Sequence, residues 1–178
     1  LSLHDALPIL LLLRMVTLLM GLGTLVGIYC CAALAFNRRT GLLATLILVL
    51  SLPFVYYSKT ANTDVPYLFW LAWSMYFYLR VWFRGTTTEY ALLGVTATLA
   101  VCTKDMAYGF YALLPLVLYA RVAADQQTGA FGTRLRLAFL DRRFWAAGLS
   151  AVVVFGLAHN VLFNWRGAID HFTATASL

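Results

Sequence analysis

Long apolar runs alternate with short polar interruptions along the whole chain. The apolar runs occupy residues 9–36, 42–55, 65–83, 90–102, 106–120 and 144–163. About 20 apolar residues in helical form cross the hydrocarbon core of a bilayer. A spanning segment must satisfy its backbone polar groups internally, which a helix does. The pattern therefore predicts an all-α fold, a polytopic transmembrane helix bundle of about six spans. Pro53 and Pro115 stand within two of these runs and are the predicted breaks. Gly21, Gly23 and Gly27 put small residues on the first run, where they let a neighbouring helix approach closely.

Composition narrows the class. Hydrophobic residues make up 62% of the chain and charged residues only 11%, against about 25% charged in ordinary globular domains. That balance excludes a soluble domain and predicts an integral membrane protein with the lipid bilayer as partner. The net charge of +6 falls in turns between spans, so a nucleic-acid partner is excluded. Cys30, Cys31 and Cys102 all lie inside apolar runs without metal-ligand spacing. No metal site, disulfide framework or cofactor is expected.

Residues 1–9, Leu-Ser-Leu-His-Asp-Ala-Leu-Pro-Ile, resemble a translated sequencing-adapter scar, and the chain lacks an initiator Met. They are set aside from the fold. Residues 10–178 are expected to be a fragment of one transmembrane domain whose upstream part is missing.

Orientation follows from charge. Threading six spans alternately places Arg38, Arg39, Arg80, Arg84, Arg121, Arg134, Arg136, Arg142 and Arg143 on one side. Lys59, Lys104 and Arg166 fall on the other, with Arg14 near its boundary. Cytoplasmic loops are enriched in Lys and Arg, so the first side is cytoplasmic. The predicted setting is a plasma membrane, the inner membrane if the source is bacterial.

The outward turns carry the candidate chemistry. Residues 56–67, Tyr-Tyr-Ser-Lys-Thr-Ala-Asn-Thr-Asp-Val-Pro-Tyr, hold more polar groups than a connector requires. Asp64 suits the N-cap of the following helix, with Pro66 in its first turn. The spans on either side of this turn are expected to pair antiparallel. Lys59 and the Tyr56–Tyr57 pair suit interfacial anchoring equally well. Three outward loops nevertheless deliver Lys59, Asp64, Lys104, Asp105, Arg166, Asp170 and His171 to one face. Cations at a lipid boundary fit a phosphate whose tail stays in the membrane, and a carboxylate fits a base or an acceptor holder.

The segments Arg14, Asn37-Arg38-Arg39-Thr40-Gly41, Lys59 through Trp70, and Cys102-Thr103-Lys104-Asp105-Met106-Ala107-Tyr108-Gly109 together resemble the polytopic C-type glycosyltransferases of family 39. These are the dolichyl-phosphate-mannose protein mannosyltransferases and bacterial aminoarabinose transferases. The resemblance implies an enzyme that moves a sugar from a polyprenyl-phosphate donor to an acceptor at the extracytoplasmic face, without a nucleotide sugar. It implies that the principal catalytic acid lies in a first external loop upstream of residue 10, leaving the fragment inactive by itself. It further implies that Asp64 is a second acidic position of the active site and Lys104 a basic one. The family often has Lys-Gly-Pro where this chain has Lys104-Asp105-Met106. Arg14, Tyr57, Lys59, Lys104, Asp105 and Arg166 are the candidate substrate-binding residues and Asp64 the candidate catalytic one. The acceptor (protein, lipid or glycan) is not specified. A non-enzymatic transporter or flippase subunit is the competing class. Transporters place ionisable groups near mid-bilayer, whereas here they stand at span ends.

Overall fold

The computed structural model describes residues 3–126 and 131–159. Among them all regular structure is helical: α1 (Leu3–Ala35), α2 (Arg38–Leu50), α3 (Leu52–Ser58), α4 (Asp64–Phe83), α5 (Thr87–Thr103), α6 (Tyr108–Tyr111), α7 (Leu114–Asp125), α8 (Phe131–Leu140) and α9 (Arg142–Ala158). A 3-10 turn at Asp105–Ala107 joins α5 to α6. The helices form a row in which α2 lies against α1, α1 against α4, α4 against α5, and α5 against α9.

Local sequence explains the joints. Asn37 caps α2 by accepting from the Thr40 amide at 3.0 Å. Gly41 then lies against the backbone of Tyr29 and Ala33 of α1, so the chain folds straight back. Between α4 and α5, Gly85 takes a left-handed φ of 66°, which glycine adopts without strain. Thr86 and Glu89 follow as a reciprocal capping box.

Small residues set the helix spacing. Gly21, Gly23 and Gly27 of α1 abut Val65, Phe69 and Ala72 of α4 in that order, so α1 and α4 run parallel. Gly94 of α5 lies directly on Ala147 and Ser150 of α9. There Ser150 Oγ donates to the Ala91 carbonyl at 2.9 Å. His159 stands beside Cys102, so α5 and α9 are also parallel.

One expectation needs correction. α4 packs mainly on α1 and far less on α3 of the preceding segment, because the glycine face of α1 offers closer packing. Two of the six runs are interrupted at the prolines expected to break them. Among the described residues only Leu11–Ala35 is long and apolar enough to cross a membrane by itself; Arg38–Leu50 with Leu52–Ser58 qualifies as a pair bent by 69°. Pro53 at the start of α3 makes that bend. Pro115 sits in the first turn of α7 and closes off the irregular 105–113 segment in the same way. α4 has 20 residues, but Tyr67, Tyr76, Tyr78 and its terminal charges dilute it.

Buried hydroxyls and a carboxylate accompany the apolar core, and the outer face is rich in large apolar side chains. Thr17, Thr24, Ser74, Glu89 and Thr96 are buried, while Leu12, Ile47, Leu50, Leu149 and Val152 face outward. The buried hydroxyls find backbone carbonyls one turn back, Thr17 on Leu13 and Thr24 on Met20. Apolar side chains on the outside of so many helices need hydrocarbon around them.

Candidate functional site

The 59–63 turn satisfies itself with its own side chains. Thr60 Oγ1 donates to the Tyr57 carbonyl at 3.1 Å, and Asn62 Nδ2 donates to Thr60 Oγ1 at 2.9 Å. The Asp64 amide donates to Asn62 Oδ1 at 3.2 Å. The N-cap of α4 is therefore Thr63, which makes no side-chain cap bond, and Asp64 is the first residue of the helix. This corrects the capping role expected of Asp64. Asn62 has taken the amide, and the carboxylate is directed elsewhere.

It meets Lys104. Lys104 Nζ donates to Asp64 Oδ1 at 2.6 Å, and each side chain remains 36% exposed. Lys104 is the extended C-cap of α5, held by its amide on the Ala100 carbonyl at 3.2 Å. The 3-10 turn then folds back so that the Ala107 amide reaches the Lys104 carbonyl at 3.0 Å. The ammonium also stands 5.9 Å from the centroid of the Tyr67 ring, within cation–π range. The hydrogen bond to Asp64, then the charge of Asp64, hold the Lys104 pKa above the ordinary lysine value.

The other expected residues are distributed around this pair. Tyr57 is exposed and meets Tyr56 edge-on, with ring centroids 5.3 Å apart. Lys59 is the exposed C-cap of α3. Asp105 opens the 3-10 turn next to Lys104. Arg14 is not brought to the pair. Gly21 is level with Val65, and Arg14 lies about 10 Å further along α1, at ~1.5 Å per residue. Arg166, Asp170 and His171 lie outside the described residues. Among the described residues no three of His, Cys, Asp and Glu converge as metal ligands.

Two features were not read from the sequence. Tyr67 was passed over although it stands three residues after Asp64, hence on the same face of α4. The second is a cavity of about 600 Å³ between α5, α6, α7 and α9. Its walls include Val101, Tyr108, Tyr111, Leu118, Val152 and Phe155. Val101 and Tyr108, two of its lining residues, stand three positions before and four after Lys104 in the sequence. Tyr111 is tied to Ser74 of α4 by a 2.5 Å hydroxyl–hydroxyl hydrogen bond.

The opposite end of the row is a structural ion-pair lattice. Arg80 Nε donates to Glu89 at 2.6 Å. Asp125 bridges Arg121 and Arg143, and Arg143 also reaches Asp141 at 2.9 Å and the Gly85 carbonyl. Segments 80–89 and 121–143 thus meet at one end, and Asp64 and Lys104 at the other.

A helical bundle with so many large apolar side chains on its outer face belongs among membrane proteins. The chain belongs to the dolichyl-phosphate-mannose-protein mannosyltransferase family, whose profile matches residues 10–140. It is therefore a member of a membrane-associated, mannosyltransferase-like glycosyltransferase family. No curated protein and no solved structure matches it.

Proposed function

We propose that this chain is part of an enzyme that moves a sugar from a polyprenyl-phosphate donor to an acceptor hydroxyl at the extracytoplasmic face of a plasma membrane. In this reading α4, α5, α7 and α9 cross the bilayer together with α1 and the bent α2–α3 pair. The observation that carries the proposal is the Asp64–Lys104 pair, which joins the outward ends of α4 and α5 in a bundle that also holds an apolar cavity. A cation there meets the donor phosphate while hydrocarbon fills the space behind it.

The chemistry is an inverting displacement. The acceptor oxygen bonds to the anomeric carbon, the carbon–oxygen bond to phosphate breaks, and the phosphate leaves with the electron pair. Lys104 stabilises that developing charge. Asp64 fixes Lys104 through their hydrogen bond and is the carboxylate nearest to take up the acceptor proton. Lys59 and Tyr57 stand at the same end and are assigned to the headgroup site.

The test is transfer by the intact protein in vesicles supplied with mannosyl phosphoryl polyprenol or with GDP-mannose. The expected result is transfer from the lipid-linked sugar alone. Transfer from the nucleotide sugar would refute the donor assignment. Movement of the lipid-linked sugar across the vesicle with no new glycosidic bond would point instead to a flippase.

A further inference from the structure

A lysine ammonium has several N–H donors, and Asp64 takes one from Lys104, at 2.6 Å. A single hydrogen bond at the end of a flexible stem leaves the ammonium free to swing about the carboxylate. A second contact restricts that swing. The ammonium stands over the Tyr67 ring, 5.9 Å from its centroid, and the electron-rich face of a ring attracts a cation at that range. Tyr67 follows Asp64 by three positions, on the same face of α4, and its amide donates to the Thr63 carbonyl at 3.0 Å. Carboxylate and ring therefore come from one helical turn, while the ammonium comes from the end of α5.

The chain beyond Lys104 is fixed to the same helix. Ser74 of α4 is fully buried and donates its one hydroxyl proton to the Leu71 carbonyl at 2.8 Å. Tyr111 of α6 is then the donor in the 2.5 Å bond to Ser74 Oγ. α4 thus holds the ammonium at its first turn and, through Ser74, the segment that follows Lys104. Tyr67 also differs from the tyrosines that suit interfacial anchoring. Tyr56 and Tyr57 are 62% and 42% exposed, whereas Tyr67 is half-buried beneath the ammonium.

We propose that Tyr67 is a positioning residue for Lys104: its ring and the Asp64 carboxylate form a two-point seat that holds the ammonium ready for a phosphate group. The inference rests on the reading of Lys104 as the phosphate-binding cation, and its experiment separates failure of the seat from failure of that reading. Loss of a cation–π contact at a partly exposed site weakens an equilibrium by about two- to fivefold.

The experiment uses the intact protein labelled with 13C-lysine, in which the signal lost in Lys104→Arg is that of Lys104. Two quantities are measured: the Lys104 titration midpoint with no donor present, and the dissociation constant of mannosyl phosphoryl polyprenol. Tyr67→Phe keeps the ring and Tyr67→Leu removes it. Successively fluorinated phenylalanines at position 67 keep the shape while draining negative charge from the ring face, so the test stays decisive if the Leu variant fails to fold. The expected midpoint is unchanged with Phe, lower with Leu, and lower stepwise with fluorination. Donor affinity is expected to be about two- to fivefold weaker with Leu than with Phe. A midpoint that ignores Leu and fluorine, or that moves as far with Phe as with Leu, overturns the seat. A midpoint that moves while donor affinity holds upholds the seat and refutes instead the assignment of Lys104 to the phosphate.

Discussion

Asp64 and Lys104 are separated by 40 positions in sequence and joined by one hydrogen bond, and the consequences of that bond can be tested singly. Because Asn62, and not Asp64, satisfies the first amide of α4, Asp64→Asn leaves the helix start intact. The expected outcome is normal expression and helicity with transfer reduced by about tenfold or more, the scale of a lost acid–base or charge-assisted contact. Activity at the unsubstituted level would reduce Asp64 to a structural partner. The raised Lys104 pKa also fixes a pH dependence. A group whose folded pKa is raised contributes fully below its unfolded value and loses that contribution only as pH climbs through the raised value. The pair therefore holds unchanged through neutral pH and opens above the ordinary lysine range. A pH titration of Lys104 ammonium resonances checks this; loss of the pair near neutrality would contradict it. At the other end, the hydrogen bond from Arg143 holds Asp141 below the ordinary aspartate value. Its contribution is present above that range and falls away as pH drops through the depressed value.

Helix interfaces were partly legible. Pro53 and Pro115 mark real interruptions, since a ring without an amide cannot continue a helix on its N-terminal side. The glycines of α1 likewise announced close packing, and they pack on α4. The antiparallel pairing across the 56–64 turn was misjudged because adjacency in sequence was allowed to stand for adjacency in space. α8 falls between the apolar runs read from the sequence because Arg134 and Arg136 outweigh its leucines in a simple hydropathy count. Gly94 gave no signal alone, yet α9 rests on it. Gly94→Ala should lower the stability of the detergent-solubilised protein by about 1–3 kcal/mol through overpacking. Gly148→Ala, which meets nothing within 4 Å, should be neutral or raise stability by about 0.5–1 kcal/mol from helix propensity. Thermal or denaturant unfolding of the two variants side by side decides it, and equal effects would contradict the packing account.

The molecule as a whole has two chemically distinct ends. One carries the Asp64–Lys104 pair; the other carries most of the arginines, with Glu89, Asp125 and Asp141 held in ion pairs. Charge asymmetry in the sequence predicted that the 59–64 and 104–105 turns share an end, and Asp64 and Lys104 do meet there. It could not say which atoms touch, because side-chain direction depends on the turn hydrogen bonds of Thr60 and Asn62. Orientation is tested with single cysteines at Ser58 and Gln126 in intact cells. A membrane-impermeant reagent should label Ser58→Cys and spare Gln126→Cys, and the reverse pattern would invert the molecule.

The central claim is that Lys104, held by Asp64, receives the phosphate of a lipid-linked donor, with Lys59 assisting from the same rim. A lysine that merely reaches the membrane surface tolerates Gln, since the aliphatic stem still covers apolar surface. A lysine on phosphate loses a charge-assisted contact, a loss of about ten- to a hundredfold in affinity. The most direct measurement is the dissociation constant of mannosyl phosphoryl polyprenol from the intact protein carrying Lys104→Gln or Lys59→Gln, with Lys→Arg controls that keep the charge. The account predicts a loss of about tenfold or more for Lys104→Gln, a smaller loss for Lys59→Gln, and recovery with Arg. A change below about threefold in both Gln variants, less than any charge-assisted contact gives, would contradict it.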